Sequence, residues 1–144
     1  MATDNTDLSR FTEAQKNLYL TALSEIKNGR KLSHWMWYIF PQMLGLGRSS
    51  TSQYYGIKNE MEARAFLNDP YLGKNLIEIS SVLLGLKTDN PREVFGRPDD
   101  IKLKSCMTLF AHISEKDSVF QKVLDKYFNG NKDGRTLKIL GCNN

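Results

Sequence analysis

Cysteine is almost missing from this chain: Cys106 and Cys142 are the two among 144 residues. With no CxxC pair they make no disulfide framework, and a bridge between them is not expected. Histidine is as scarce. His34 and His112 stand alone with no HxxxH spacing, so no metal site is expected and no cofactor is implied. Long apolar runs are absent too. The stretch around Val82 to Leu86, like every other, is far too short to cross a bilayer, which argues against a membrane partner. The opening Met-Ala-Thr-Asp-Asn-Thr-Asp lacks the basic and apolar regions of a secretory signal, and with two reduced cysteines this favours the cytoplasm. There is no internal repeat, low-complexity tract or linker.

What is present is ordinary for a globular chain: 40% hydrophobic and 25% charged residues. A chain of this length is expected to form one domain spanning 1–144, with its core at about 8–140. Such a domain buries roughly 70% of the surface of its unfolded chain and needs no covalent staple. The net charge is +4. Its cations are scattered rather than gathered into a stripe, so nucleic-acid binding is disfavoured.

The apolar spacing predicts an all-α fold, a compact bundle of five or six helices with one short β element near 36–57. Leu8, Phe11, Ala14, Leu18, Ala22 and Ile26 mark a first helix from about Leu8 to Asn28, with Gly29 as a left-handed stop. Leu44 to Ser52 is rich in Gly and Ser and is expected to be a loop. Tyr54 to Ile57 is expected as a brief strand or turn. Asn59 and Glu62 form a capping-box pattern, and that helix is expected to end at Asp69. Asp69-Pro70 should open the next, whose stripe is Leu72, Leu76, Ile79, Leu83 and Leu86. Asn90-Pro91 starts a short turn closed by Gly96. Pro98-Asp99 opens a helix through about Ile113, with Leu103, Cys106, Met107 and Phe110 inward and Lys104, Ser105, Thr108 and His112 outward. Asp117 should cap a helix with Phe120, Val123, Leu124, Tyr127 and Phe128 on its inner face, and a final turn covers Thr136 to Leu140.

One segment stands out. Trp35, Trp37, Tyr38 and Phe40 fall within six residues, after Arg30-Lys31 and before Gly47-Arg48-Ser49. Such rings pack a core equally well, or form a wall that stacks a planar ligand while His34 and Gln42 supply polar groups. The Gly45-Leu46-Gly47-Arg48-Ser49-Ser50 loop could cradle an anion through backbone amides and the Arg48 fork. It matches neither GxxxxGK[ST] nor GxGxxG, because Ser50 stands where the third glycine would be. On the Asp99 helix, Lys102 and Ser105 could face the same cleft, and a serine beside a desolvated lysine can act as a nucleophile. Cys106 is expected on the apolar face, where burial silences a thiol. Asp69, Asp99 and Asp117 sit at helix starts, where capping accounts for them.

These segments resemble a known family, the domain of unknown function 1810. The resemblance is carried by Gly29-Arg30-Lys31, the run from Ser33 to Gln42 (SHWMWYIFPQ), Gly45 to Ser49, Ala63 to Leu67, Phe95 to Asp100 and Lys102 to Phe110. It covers nearly the whole chain. Lys104 and Cys106 depart from the Arg and Ser usual in the pattern, so neither position is given a sharp role. The resemblance implies a small, mainly helical fold and no established activity. The label calpastatin borne by some members does not fit, since that inhibitor is a disordered repeat protein. An association of relatives with ADP-ribose-handling macrodomains implies a nucleotide or ADP-ribose-like ligand.

Two readings follow from residues and resemblance together. In the favoured one, Trp35, Trp37 or Tyr38 stacks a planar group of an anionic small molecule or nucleotide. Arg48, Ser49 and Lys102 then hold phosphate, and His34, Gln42 and Ser105 orient it. In the alternative the chain is a non-catalytic protein-interaction module with its aromatics exposed on a flat face. Oligomeric state is left open by the sequence.

Overall fold

A computed structural model describes residues 7–141, and its described residues are helical without a named strand. Five helices have nine or more residues: α1 (Ser9–Lys27), α4 (Glu60–Asn68), α5 (Leu72–Gly85), α7 (Asp99–His112) and α8 (Val119–Phe128). Four short ones join them: α2 (Met36–Ile39), α3 (Ser50–Tyr55), α6 (Pro91–Phe95) and α9 (Gly134–Ile139). The all-α expectation is met. The helix count exceeds the expected five or six because turns too brief to show an apolar period are wound by local caps.

The clearest case is α3, in a stretch expected to be loop followed by a brief strand or turn. The Ser49 hydroxyl accepts the Ser52 amide at 3.1 Å, which nucleates a helix that the Gly/Ser composition hides. The β element shrinks to one isolated parallel bridge between Met43 and Ile57. Leu44 donates to the Ile57 carbonyl at 2.8 Å, and Ile57 donates to that of Gln42 at 2.9 Å.

Two expected caps move. Ser118, not Asp117, caps α8 by accepting the Gln121 amide at 3.2 Å. Asp69 does open α5, but its carboxylate reaches past Pro70 to the amides of Tyr71 and Leu72, so the helix begins at Leu72. At the other ends, Gly29 (φ 81°) follows α1, and Asn129 (φ 55°) with Gly130 (φ 78°) stops α8.

The core is one cluster of buried apolar side chains. An aromatic chain runs through it. Phe11 meets Phe66 edge-on at 5.0 Å, Phe66 meets Phe110 at 5.6 Å, and Phe110 meets Phe120 at 5.7 Å between ring centres. α5 packs against α1, α4 and α8, while α7 packs against α4, α6, α8 and α9. Having neighbours on so many sides, α7 overturns half of the expected outer face: Lys104 is half-buried and His112 exposed, as a solvated face requires, but the other two positions are not. Ser105 and Thr108 are buried, and each hydroxyl donates to the carbonyl four residues earlier, Ile101 at 3.3 Å and Lys104 at 2.8 Å. Cys106 is buried and its thiol is held well above the usual range by desolvation. Cys142 lies outside the described residues. No helix among the described residues is long and apolar enough to cross a membrane.

Candidate functional site

The segment after α1 is built by one carboxylate. Glu25, on the inner face of α1 beside Ala22 and Ile26, is 9% exposed. Its Oε1 accepts the amides of Leu32 (2.7 Å) and Ser33 (2.9 Å) and the Trp35 indole N–H (2.9 Å), and its Oε2 accepts the Ser33 hydroxyl at 2.5 Å. Burial pushes the Glu25 pKa up, but these four donors outweigh it and hold the carboxyl down at about 2. Trp35 is therefore a core residue, 0% exposed, packed against Phe40 and Phe95. Met36, Tyr38, Ile39 and Phe40 are buried with it, whereas Trp37 is half-buried and His34 is exposed.

Lys31 ties this segment to the start of α7. Its backbone N–H donates to the Val94 carbonyl at 2.7 Å. Its ammonium lies 2.9 Å from Asp99 Oδ2 and 2.6 Å from the Ser33 carbonyl, with only 8% of the side chain exposed. The other Asp99 oxygen faces Lys102 Nζ at 3.2 Å, and that ammonium sits 4.2 Å from the centre of the Trp37 ring. The carboxylate expected as a plain helix cap is thus shared by two lysines.

Two hollows flank Lys31. A cleft of about 590 Å³ lies between Gly29-Arg30-Lys31 on one side and Thr88 with Arg92–Gly96 on the other. Arg30 and Arg92 both line it, and neither guanidinium is in an ion pair with a described residue. Glu93, held by the Thr88 hydroxyl at 2.9 Å, supplies one acceptor at its wall. The second hollow, about 150 Å³, is lined by Lys31, His34, Trp35, Met36, Trp37, Asp99 and Lys102.

Of the residues singled out in the sequence, His34, Trp35, Trp37 and Lys102 meet at the smaller hollow. Tyr38 does not line it: its carbonyl accepts Gln15 Nε2 at 2.8 Å, its ring packs on Tyr55 at 5.2 Å, and burial raises its phenol pKa. Gln42 is buried and bridges to Ile57 through its carbonyl. Ser105 faces inward on α7. Arg48 is exposed and Ser49 caps α3, and neither lines the hollows described. Their loop packs instead toward α9, with Arg135 donating to the Leu46 carbonyl at 3.2 Å. Arg92, Glu93 and the organising Glu25 were missed, while Arg30 was noted only as part of a basic turn and Asp99 only as a helix cap. Glu25 had a legible signal, since it falls on the apolar face of α1.

A third hollow, about 320 Å³, opens between α1 and α5. Its floor is a polar chain. Asn75 Nδ2 donates to Gln15 Oε1 at 3.0 Å, and the Tyr19 hydroxyl lies 2.6 Å from Glu78 Oε1. Exposed Leu20 and Tyr71 stand beside it.

Comparison with known proteins agrees with the fold. A family model described as a protein of unknown function (DUF1810) matches residues 5–140. A crystal structure of a conserved hypothetical protein from Mycobacterium tuberculosis is similar at 41% identity and a TM-score of 0.93, covering 97% of this chain and 100% of that one. No curated protein matches.

Proposed function

The chain belongs to the DUF1810 family of proteins of unknown function, and on that premise we propose that it binds a small anionic molecule, of nucleotide or ADP-ribose-like class, at the two hollows around Lys31. The observation that carries this reading is the cleft of about 590 Å³ lined by both Arg30 and Arg92, neither of which is in an ion pair with a described residue, while Glu93 at its wall is held by Thr88. A cleft of that size is in the range of small-ligand sites, which run from about 300 to 1,000 Å³. Two guanidinium forks are suited to a phosphate or carboxylate, which each can grip in bidentate fashion. The aromatic hollow next door supports a ligand that also carries a planar group, with Trp37, His34 and Lys102 in contact and Trp35 as its buried backing.

Nothing in the arrangement calls for turnover. Cys106 is sealed in the core, and Ser105 is spent on its own helix. The reading is therefore a binding site. The interaction-module alternative needs its aromatics exposed, and Trp35, Tyr38 and Phe40 are buried. The thermal midpoint is expected to rise with nucleotides, ADP-ribose or pyrophosphate, by RT ln(1 + [L]/Kd) in free energy. Arg30→Ala and Arg92→Ala, both at exposed positions, should each weaken binding about tenfold while leaving the unliganded midpoint nearly unchanged. A screen in which none of these anions shifts the wild type removes the proposal.

A further inference from the structure

Lys31 and Lys102 share one carboxylate but are held very differently. Lys31 is enclosed: it has Asp99 Oδ2 at 2.9 Å, the Ser33 carbonyl at 2.6 Å and the Trp35 ring at 5.1 Å. Lys102 has two contacts, Asp99 Oδ1 at 3.2 Å and the Trp37 ring at 4.2 Å, and its side chain is 20% exposed. If Lys102 swings out on its four-carbon stem, Asp99 keeps Lys31 as its counter-ion. No unpaired carboxylate is then left in the hollow, so the departure costs only a partly exposed ion pair and one cation–π contact.

We propose that Lys102 is a displaceable cap on Trp37: the free protein occupies its own aromatic subsite with an ammonium, and a ligand enters by putting a planar ring where that ammonium was. The proposal rests on the reading above, in which the ligand's anionic end sits in the Arg30–Arg92 cleft. With the ammonium in place the hollow measures about 150 Å³, the size of one six-membered aromatic ring, and the departure of Lys102 opens the Trp37 face to it. The displaced ammonium stays on the same face and follows the anion. Lys102 therefore selects for compounds that carry both parts, since a bare phosphate has nothing with which to displace it.

The test compares uridine monophosphate with ribose 5-phosphate, which keeps the sugar and anion and drops the ring. Lys102→Ala bares the ring. It should raise affinity for the nucleotide relative to ribose 5-phosphate by roughly two- to thirtyfold, the span of a cation–π contact. Using the ratio cancels the effect of the charge lost beside the cleft. Lys102→Arg, whose guanidinium stacks at least as well on indole, should leave the ratio unchanged or lower it. Without ligand, acrylamide should quench the emission of Lys102→Ala more than that of wild type, because Trp35 is buried and Trp37 is the ring uncovered. A ratio that stays level or falls in Lys102→Ala overturns the cap while leaving the anion site standing. Binding seen only in Lys102→Ala supports it. If neither protein binds either compound, both the site and its cap are refuted.

Discussion

Glu25 shows how much one side chain can determine here. Four donors converge on its carboxylate, and all four come from the segment that carries Lys31 and Trp37 to the hollows. Its folded pKa of about 2 lies below the ordinary 4.5, so the native state prefers the ionised form. The resulting stability is complete above about pH 5 and fades as the pH falls from 4.5 toward 2. Glu25→Ala strands the Trp35 N–H and the Leu32 and Ser33 amides, and should cost about 3 kcal/mol near neutral pH. Denaturant midpoints measured between pH 3 and 7 should slope less in the variant over the acid end; parallel curves would show that Glu25 titrates normally. At this scale the sequence was only half legible. A glutamate between Ala22 and Ile26 on an apolar face signals a buried acceptor, but its partners lie in a loop whose path has no periodicity to read.

Among elements, the junction of α4 and α5 is set by a close approach. A Cβ on Gly73 would lie 1.9 Å from the Leu67 carbonyl oxygen, whereas one on Gly85 meets nothing within 4 Å. In an exposed helix Gly→Ala stabilises by up to about 1 kcal/mol. Gly85→Ala should keep that sign. Gly73→Ala must push α4 away from α5 and should instead cost about 1–3 kcal/mol, the range for an overpacked core. Thermal unfolding of the pair should move in opposite directions, and a stabilised Gly73→Ala would mean the helices yield freely. The long elements were legible because each has an apolar stripe over several turns: Leu72, Leu76, Ile79 and Leu83 face the core as the spacing required. α3 and α2 were not, because four to six residues show no period. For these a cap such as Ser49, or the packing of Met36 and Ile39, decides.

Over the whole molecule, α7 is the axis on which the rest is hung. Thr108 joins it to α9: its hydroxyl donates to the Lys104 carbonyl and accepts the Asp133 amide at 2.9 Å, and Asp133 in turn caps α9 through Thr136. Thr108→Val keeps the shape and orphans that amide, at a cost of about 1–2 kcal/mol. Amide exchange in α9 should then speed up more than in α5; uniform acceleration would deny α9 a local anchor. The all-α class and the long helices could be read from the chain, because helical period is a local property. That Trp35 is walled in, that Arg48 lies apart and that Arg30 and Arg92 line one cleft could not. Arg30 and Arg92 are 62 positions apart, and their segments are brought together by the pairing of Lys31 with Val94 and Asp99 and by the packing of Trp35 and Phe40 on Phe95. Burial and shared membership of a cleft depend on which surfaces meet, and that is decided by the packed core as a whole.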